Sequence, residues 1–131
     1  MNKDYAQRDK ILFGEYNPDK YLGGCRNFTC SKEVMQMLVE NDYIDPNECQ
    51  NYSPMTKEFM EILHDIDNVR FNGYAISPDR DDYRLTIDGV DIEIEDTDYD
   101  NISLLVESFH YADEFNFSHD DDSYFLHAWW D

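Results

Sequence analysis

Between residues 83 and 95, apolar residues recur at every second position on either side of Asp88-Gly89. No other stretch constrains the fold as tightly, because strict alternation fits a strand with one buried face and no amphipathic helix. Asp-Gly is a favoured dipeptide of two-residue hairpin loops. The segment therefore reads as a hairpin in which Ile87 faces Val90, Leu85 faces Ile92 and Tyr83 faces Ile94. Thr86 with Asp91 and Arg84 with Glu93 then make up the wet face. One dry and one wet face is typical of an antiparallel sheet.

The flanking patterns supply the other elements. Residues 1–30 are weakly patterned and broken at Asn17-Pro18 and Gly23-Gly24, so they read as an N-terminal arm packed on the domain. A helix is expected over 31–41, capped by Ser31 and striped by Val34, Met35, Leu38 and Val39. Ser53-Pro54 reads as the cap and first residue of a second helix, with Phe59, Ile62, Leu63 and Ile66 facing the core. Residues 69–77 read as a strand interrupted by Gly73, followed by a turn at Ser77-Pro78-Asp79. A third helix is expected over 101–112, on the stripe Ile102, Leu105, Val106 and Phe109, with Asp98 or Asp100 as its cap. A second hairpin closes the chain, with strands 115–117 and 124–130 and a loop at 119–122. The order α-α-β-β-β-α-β-β is that of an α+β fold. The expectation is an antiparallel sheet of about five strands, in two hairpins, packed against three helices. The length of 131 residues fits a single domain, 1–131.

Thirty Asp and Glu stand against ten Lys and Arg, for a formal net charge of −20. That excess opposes binding to nucleic-acid phosphates and to anionic membranes, and it favours basic proteins and cations. Hydrophobic residues at 41% and aromatics at 15% are enough for a core, so the charge does not imply disorder. No apolar run approaches the roughly 18 residues of a membrane span. The opening MNKDYAQRDK has no signal-peptide pattern, and three cysteines do not suggest a disulfide framework, so a cytoplasmic location is expected. A solvated surface without a specific partner, or adaptation to high salt, would also produce this composition.

Among the acids, Asp96, Asp98, Asp100 and Glu107 fall at positions 1, 3, 5 and 12 of an EF-hand-like calcium loop. A hard cation wants several oxygens converging from a short segment, which this spacing offers. Asn101 replaces the usual glycine at position 6, and the preceding segment reads as a strand, so a strand-loop-helix site is the form expected. Cys25, Cys30, Cys49 and His64 offer a zinc set, although small buried cysteines explain the same residues. No base or cation is spaced to activate a cysteine nucleophile. His110 lies near the end of the third helix, where the dipole favours a cation. There is no P-loop or dinucleotide fingerprint. The charge and the long connection between the first two helices also argue against a helix-turn-helix.

The remaining pattern interleaves acids with aromatics, around Tyr99, over 111–115, over 120–124, and in the tail Tyr124-Phe125-Leu126-His127-Ala128-Trp129-Trp130-Asp131. Aromatics anchor interfaces, and carboxylates pair with Arg on a basic partner. The sequence thus leads to a small non-catalytic acidic protein that binds, and inhibits, a basic nucleic-acid-binding protein, as a DNA mimic or an immunity-type inhibitor does. The expected contact residues are Asp96, Asp98, Asp100, Asp120, Asp121, Asp122 and Trp130. The alternatives are a calcium-binding module on the 96–107 loop and an acidic housekeeping domain of a high-salt organism.

Overall fold

The computed structural model describes residues 1–131. Its elements are α1 (Tyr5–Phe13), a one-turn 3-10 helix (Pro18–Lys20), β1 (Cys25–Ser31), α2 (Lys32–Glu40), α3 (Thr56–Ile62), β2 (Val69–Ile76), β3 (Leu85–Glu95), α4 (Tyr99–Phe109), β4 (Glu114–Asp120) and β5 (Ser123–Trp129). The strands form one antiparallel sheet in the order β1-β2-β3-β5-β4. The fold is α+β, with four helices where the sequence pattern pointed to three.

The clearest sequence signal has a different structural outcome. Residues 85–95 are a single central strand, and Asp88-Gly89 is not a turn. The pairing of β3 with β2 runs Asn72 to Gly89 and then Gly73 to Ile87, so Asp88 is an extra residue, a β-bulge. A bulge and a two-residue turn shift the side-chain phase in the same way. Leu85 and Ile87 before the bulge, and Val90, Ile92 and Ile94 after it, are therefore all buried in one core, as a hairpin would also have required. Glycine is needed across from the bulge. A Cβ on Gly73 would run into the Thr86 carbonyl oxygen and come within 2.7 Å of the Phe28 ring. The actual hairpins are β2–β3, joined through the 77–84 loop, and β4–β5, joined by Asp121-Asp122 with Asp121 left-handed at φ 52°.

The segment 1–30 is not simply an arm, because it contributes helix α1 and edge strand β1. Phe28 and Cys30 of β1 point into the core. Helix α1 lies against β1 and α2 and is held by a buried polar knot. Arg8 Nε donates to Asp9 Oδ1 at 2.9 Å, Arg8 Nη2 donates to the Tyr21 hydroxyl at 2.7 Å, and that hydroxyl donates to Asp9 Oδ2. Arg8 also stacks 4.7 Å from the centre of the Tyr83 ring. Arg8 and Asp9 are fully buried, and a buried pair is tolerable only when each charge is met by others. Burial, reinforced by the bond to Asp9, raises the Tyr21 phenol above its ordinary pKa.

The other helices follow from their ends. Ser31 Oγ accepts from Val34 N at 3.2 Å and caps α2, as its sequence position indicates. Helix α3 starts later than Ser53-Pro54 suggests. Ser53 Oγ is engaged instead in a turn, accepting from Gln50 N at 2.9 Å. Met55 holds the cap position, where its amide donates to Glu58 Oε1 at 3.0 Å. The end of the α3 segment is closed from a distance: Lys32 Nζ donates to the Leu63, His64 and Ile66 carbonyls at 2.6–3.2 Å. Helix α4 begins at Tyr99, and Nδ1 of His110 lies 2.9 Å from the Val106 carbonyl at its end.

Phe59 of α3, Phe71 of β2, Phe109 of α4 and Trp130 meet under the sheet, with ring centres 5.6–6.3 Å apart. Edge-to-face contacts of this kind add to the burial itself. Alanine at Gly73 should lower the unfolding free energy by about 1–3 kcal/mol, the usual range for overpacking. Urea titration would measure the loss; a Gly73→Ala midpoint equal to the parent's would contradict the close approach across the bulge.

Candidate functional site

The segment that follows β3 meets the β4–β5 turn at one end of the sheet, through Asp96. Asp96 lies just beyond β3, and its amide donates to the Asp122 carbonyl in the β4–β5 turn at 2.9 Å. His119 Nε2 sits 2.9 Å from Asp96 Oδ2. Next to this contact is a groove of about 460 Å³ whose wall includes Asp65, Asp67, Glu93, Glu95 and Asp98, with no Lys or Arg. Asp98 thus belongs to both the groove and the start of α4.

Cations are distributed unevenly through the fold. No Lys or Arg occurs after Arg84, so β3, α4, β4 and β5 have none. Because β3, β5 and β4 are neighbours, that half of the sheet carries acids and no Lys or Arg. The arginine–carboxylate pairs all involve Arg8, Arg80 or Arg84, which precede β3 in the chain. Exposed aromatics stand among these acids: Tyr99 at 72%, Phe117 at 38% and Phe125 at 41% exposure.

Two sequence expectations need correction. Trp130 is not available to a partner. It is 2% exposed and packed against Phe59, Phe109 and Tyr111, while Trp129 lies on the outer face. Asp96, Asp98, Asp100 and Glu107 do not form a calcium site, since no group of three or more His, Cys, Asp or Glu side chains is placed to hold a metal ion. The reason is that helix α4 takes over at Tyr99, the fourth residue of the supposed loop. A calcium loop must remain curled well past that point. Asp98 Oδ2 instead accepts from Asn101 Nδ2 at 3.0 Å.

The zinc set fails for a similar geometric reason. Cys25 and Cys30 lie on one strand at an odd separation, and alternate residues of a strand point to opposite faces. All three cysteines are free, and burial pushes the Cys30 thiol up to about 12.

The sheet face away from the helices carries a feature that sequence reading missed. One side chain from every strand joins a continuous polar row. Thr29 Oγ1 donates to Asn72 Oδ1 at 3.0 Å, and Asn72 Nδ2 donates to Asp91 Oδ2 at 2.7 Å. His127 Nδ1 meets Asp91 Oδ1 at 2.6 Å, and His127 Nε2 lies 3.3 Å from Glu114 Oε1. The His127 ring thus lies between the carboxylates of β3 and β4. The row ties the five strands together side by side. The five residues are scattered from 29 to 127, and only sheet register aligns them.

Beside the row lies a depression of about 510 Å³ whose lining includes Asp88, Glu114, His127 and Trp129. Burial raises the pKa of the Asp88 carboxyl above that of an ordinary aspartate, although the neighbouring Trp129 works in the opposite direction. The chain matches no protein-family model, no curated protein and no solved structure.

Two measurements follow from these environments. A carboxyl with a raised folded pKa destabilises the fold as pH climbs past the ordinary Asp value of about 4. Asp88→Asn should therefore match the parent in stability below that pH and exceed it near neutrality, as read by thermal melts across the range; no pH-dependent gap would contradict this burial effect. Separately, iodoacetamide at pH 8 should label the exposed Cys49 quickly and the buried Cys30 only on unfolding, which peptide mapping would resolve.

Proposed function

We propose that this protein is a non-catalytic acidic binder that docks on, and inhibits, a basic nucleic-acid-binding protein in the manner of a DNA mimic or an immunity-type inhibitor. The observation that carries this reading is the meeting of Asp96, and of the acidic groove that includes Asp98, with the β4–β5 turn of Asp121 and Asp122 at one end of a half-sheet without Lys or Arg. Gathered charge of one sign behaves differently from the same charge spread evenly. It produces a directed field that speeds encounter with a cationic surface, and it repels nucleic acid and other anions. A partner that binds nucleic acid already presents a complementary cationic surface.

Charge supplies rate and selectivity, while desolvated aromatics supply much of the lasting affinity. Tyr99, Phe117 and Phe125 are exposed in the same half of the molecule and suit that role in place of Trp130. His119 is held against Asp96, and Asp98 and Asp122 are tied into local hydrogen bonds, so part of the acidic surface is ordered before contact. Ordering that exists before binding is not lost on binding.

The test is affinity capture from the source cell with the parent and with a variant carrying Asp98→Asn, Asp120→Asn, Asp121→Asn and Asp122→Asn. The parent should retain a basic protein at low salt and release it as salt rises, because screening shortens the reach of these charges to about 10 Å at 0.1 M. The variant should lose affinity by about ten-fold or more while melting at a similar temperature. Capture of no basic protein, or equal capture by both forms, would overturn the reading.

A further inference from the structure

The two edges of the sheet are treated differently. At one edge, β1 is flanked by α1 and α2, and Arg26 stacks 3.6 Å over the Phe13 ring of α1. At the other, β4 pairs with β5 and with nothing else. No hydrogen bond reaches the β4 backbone from any element but β5, so a row of its amides and carbonyls faces outward without a protein partner. Edge strands left in this state are templates for another strand.

Apart from the acids at its ends, β4 carries few of the usual edge defences. It runs seven residues, EFNFSHD, with no proline, no lysine and no bulge, and it stays in register with β5 from Glu114–Trp129 to Asp120–Ser123. Its two faces are chemically distinct. Phe115 and Phe117 stack at 6.5 Å on one face, and Phe117 continues onto Tyr124 at 4.7 Å. Glu114, Asn116, Ser118 and Asp120 alternate with them on the other.

We propose that the outer edge of β4 receives an extended basic segment of the partner as a sixth strand, with apolar residues beside Phe115 and Phe117 and Lys or Arg beside Glu114 and Asp120. Main-chain hydrogen bonds supply affinity in this mode, and alternate side chains supply selectivity. Charge complementarity decides the occupant. A second copy of the chain is opposed, because antiparallel self-pairing about Phe117 sets Glu114 against Asp120 of the other copy at both ends. Like charges directly opposite one another across strands are destabilising. The proposal rests on the reading of this protein as a binder of basic partners, and it adds where and how the contact is made.

The experiment uses the full chain with two synthetic peptides, one of alternating Lys and Val and one of the same sequence with every backbone nitrogen methylated. Both have the same charge, but only the first can donate to an edge. Hydrogen exchange should slow at β4 amides with the first peptide, and the methylated peptide should bind roughly ten-fold or more weakly. Equal binding of both without slowed exchange in β4 would overturn the edge proposal and leave charge-driven docking standing. Binding of neither would also overturn it, with capture from the source cell still deciding the broader reading. Protection of β4 that grows with protein concentration alone would assign the edge to a second copy and overturn it as well.

Discussion

The fold depends on one extra residue in its central strand. Without the bulge at Asp88, strict alternation along β3 would send Leu85 and Ile87 to one face and Val90, Ile92 and Ile94 to the other. The bulge restores a common phase, so the strand delivers all five to a single core beneath the sheet. It also shapes the end of the chain. The Asp88 carbonyl accepts from Trp130 N at 2.8 Å, and Asp88 and Trp129 line the same depression. Consecutive tryptophans lie on opposite sides, Trp130 in the aromatic core and Trp129 on the open face, as alternation along β5 requires.

A sheet with helices on only one side leaves a second face and its edges to be managed by polar chemistry. Here the open face is tied across all five strands by the row from Thr29 to Glu114, and β1 is flanked by helices. The β4 edge is left with neither a flanking helix nor a bulge, and it lies in the half of the sheet that has no Lys or Arg. The self-repulsion of so many acids works against compactness. The buried cluster around Phe59, Phe71, Phe109 and Trp130 supplies the opposing apolar burial.

Legibility in the sequence followed the range of the interactions. The α2 cap at Ser31, the stripe of α4 and the closing hairpin were readable because each depends on residues within a few positions of one another. Strand β1 was not readable, since only pairing with β2 makes residues 25–31 a strand. Helix α1 gave little signal because Arg8 and Asp9, its most buried residues, are charged and become tolerable only beside Tyr21 and Tyr83. Asp88-Gly89 misled because a turn and a bulge impose the same local phase shift, and only the strands on either side distinguish them. Of the candidate contact residues, the acids were identifiable from composition, but the choice between Trp129 and Trp130 depended on the register of β5 against β3.

The sequence by itself determined the class of the fold, an α+β arrangement with a one-sided antiparallel sheet, because period-two and helical hydrophobic patterns are local properties. It also determined the sign and the size of the charge. Only the tertiary structure decided that Asp96 meets Asp122, that helix α4 starts inside the supposed calcium loop and carries Asp100 and Glu107 away from Asp96, that β3 is one strand at the centre of the sheet and that β4 is its open edge. Each of these depends on strand order and register between segments far apart in the chain, and register is a property of pairs that no single segment carries.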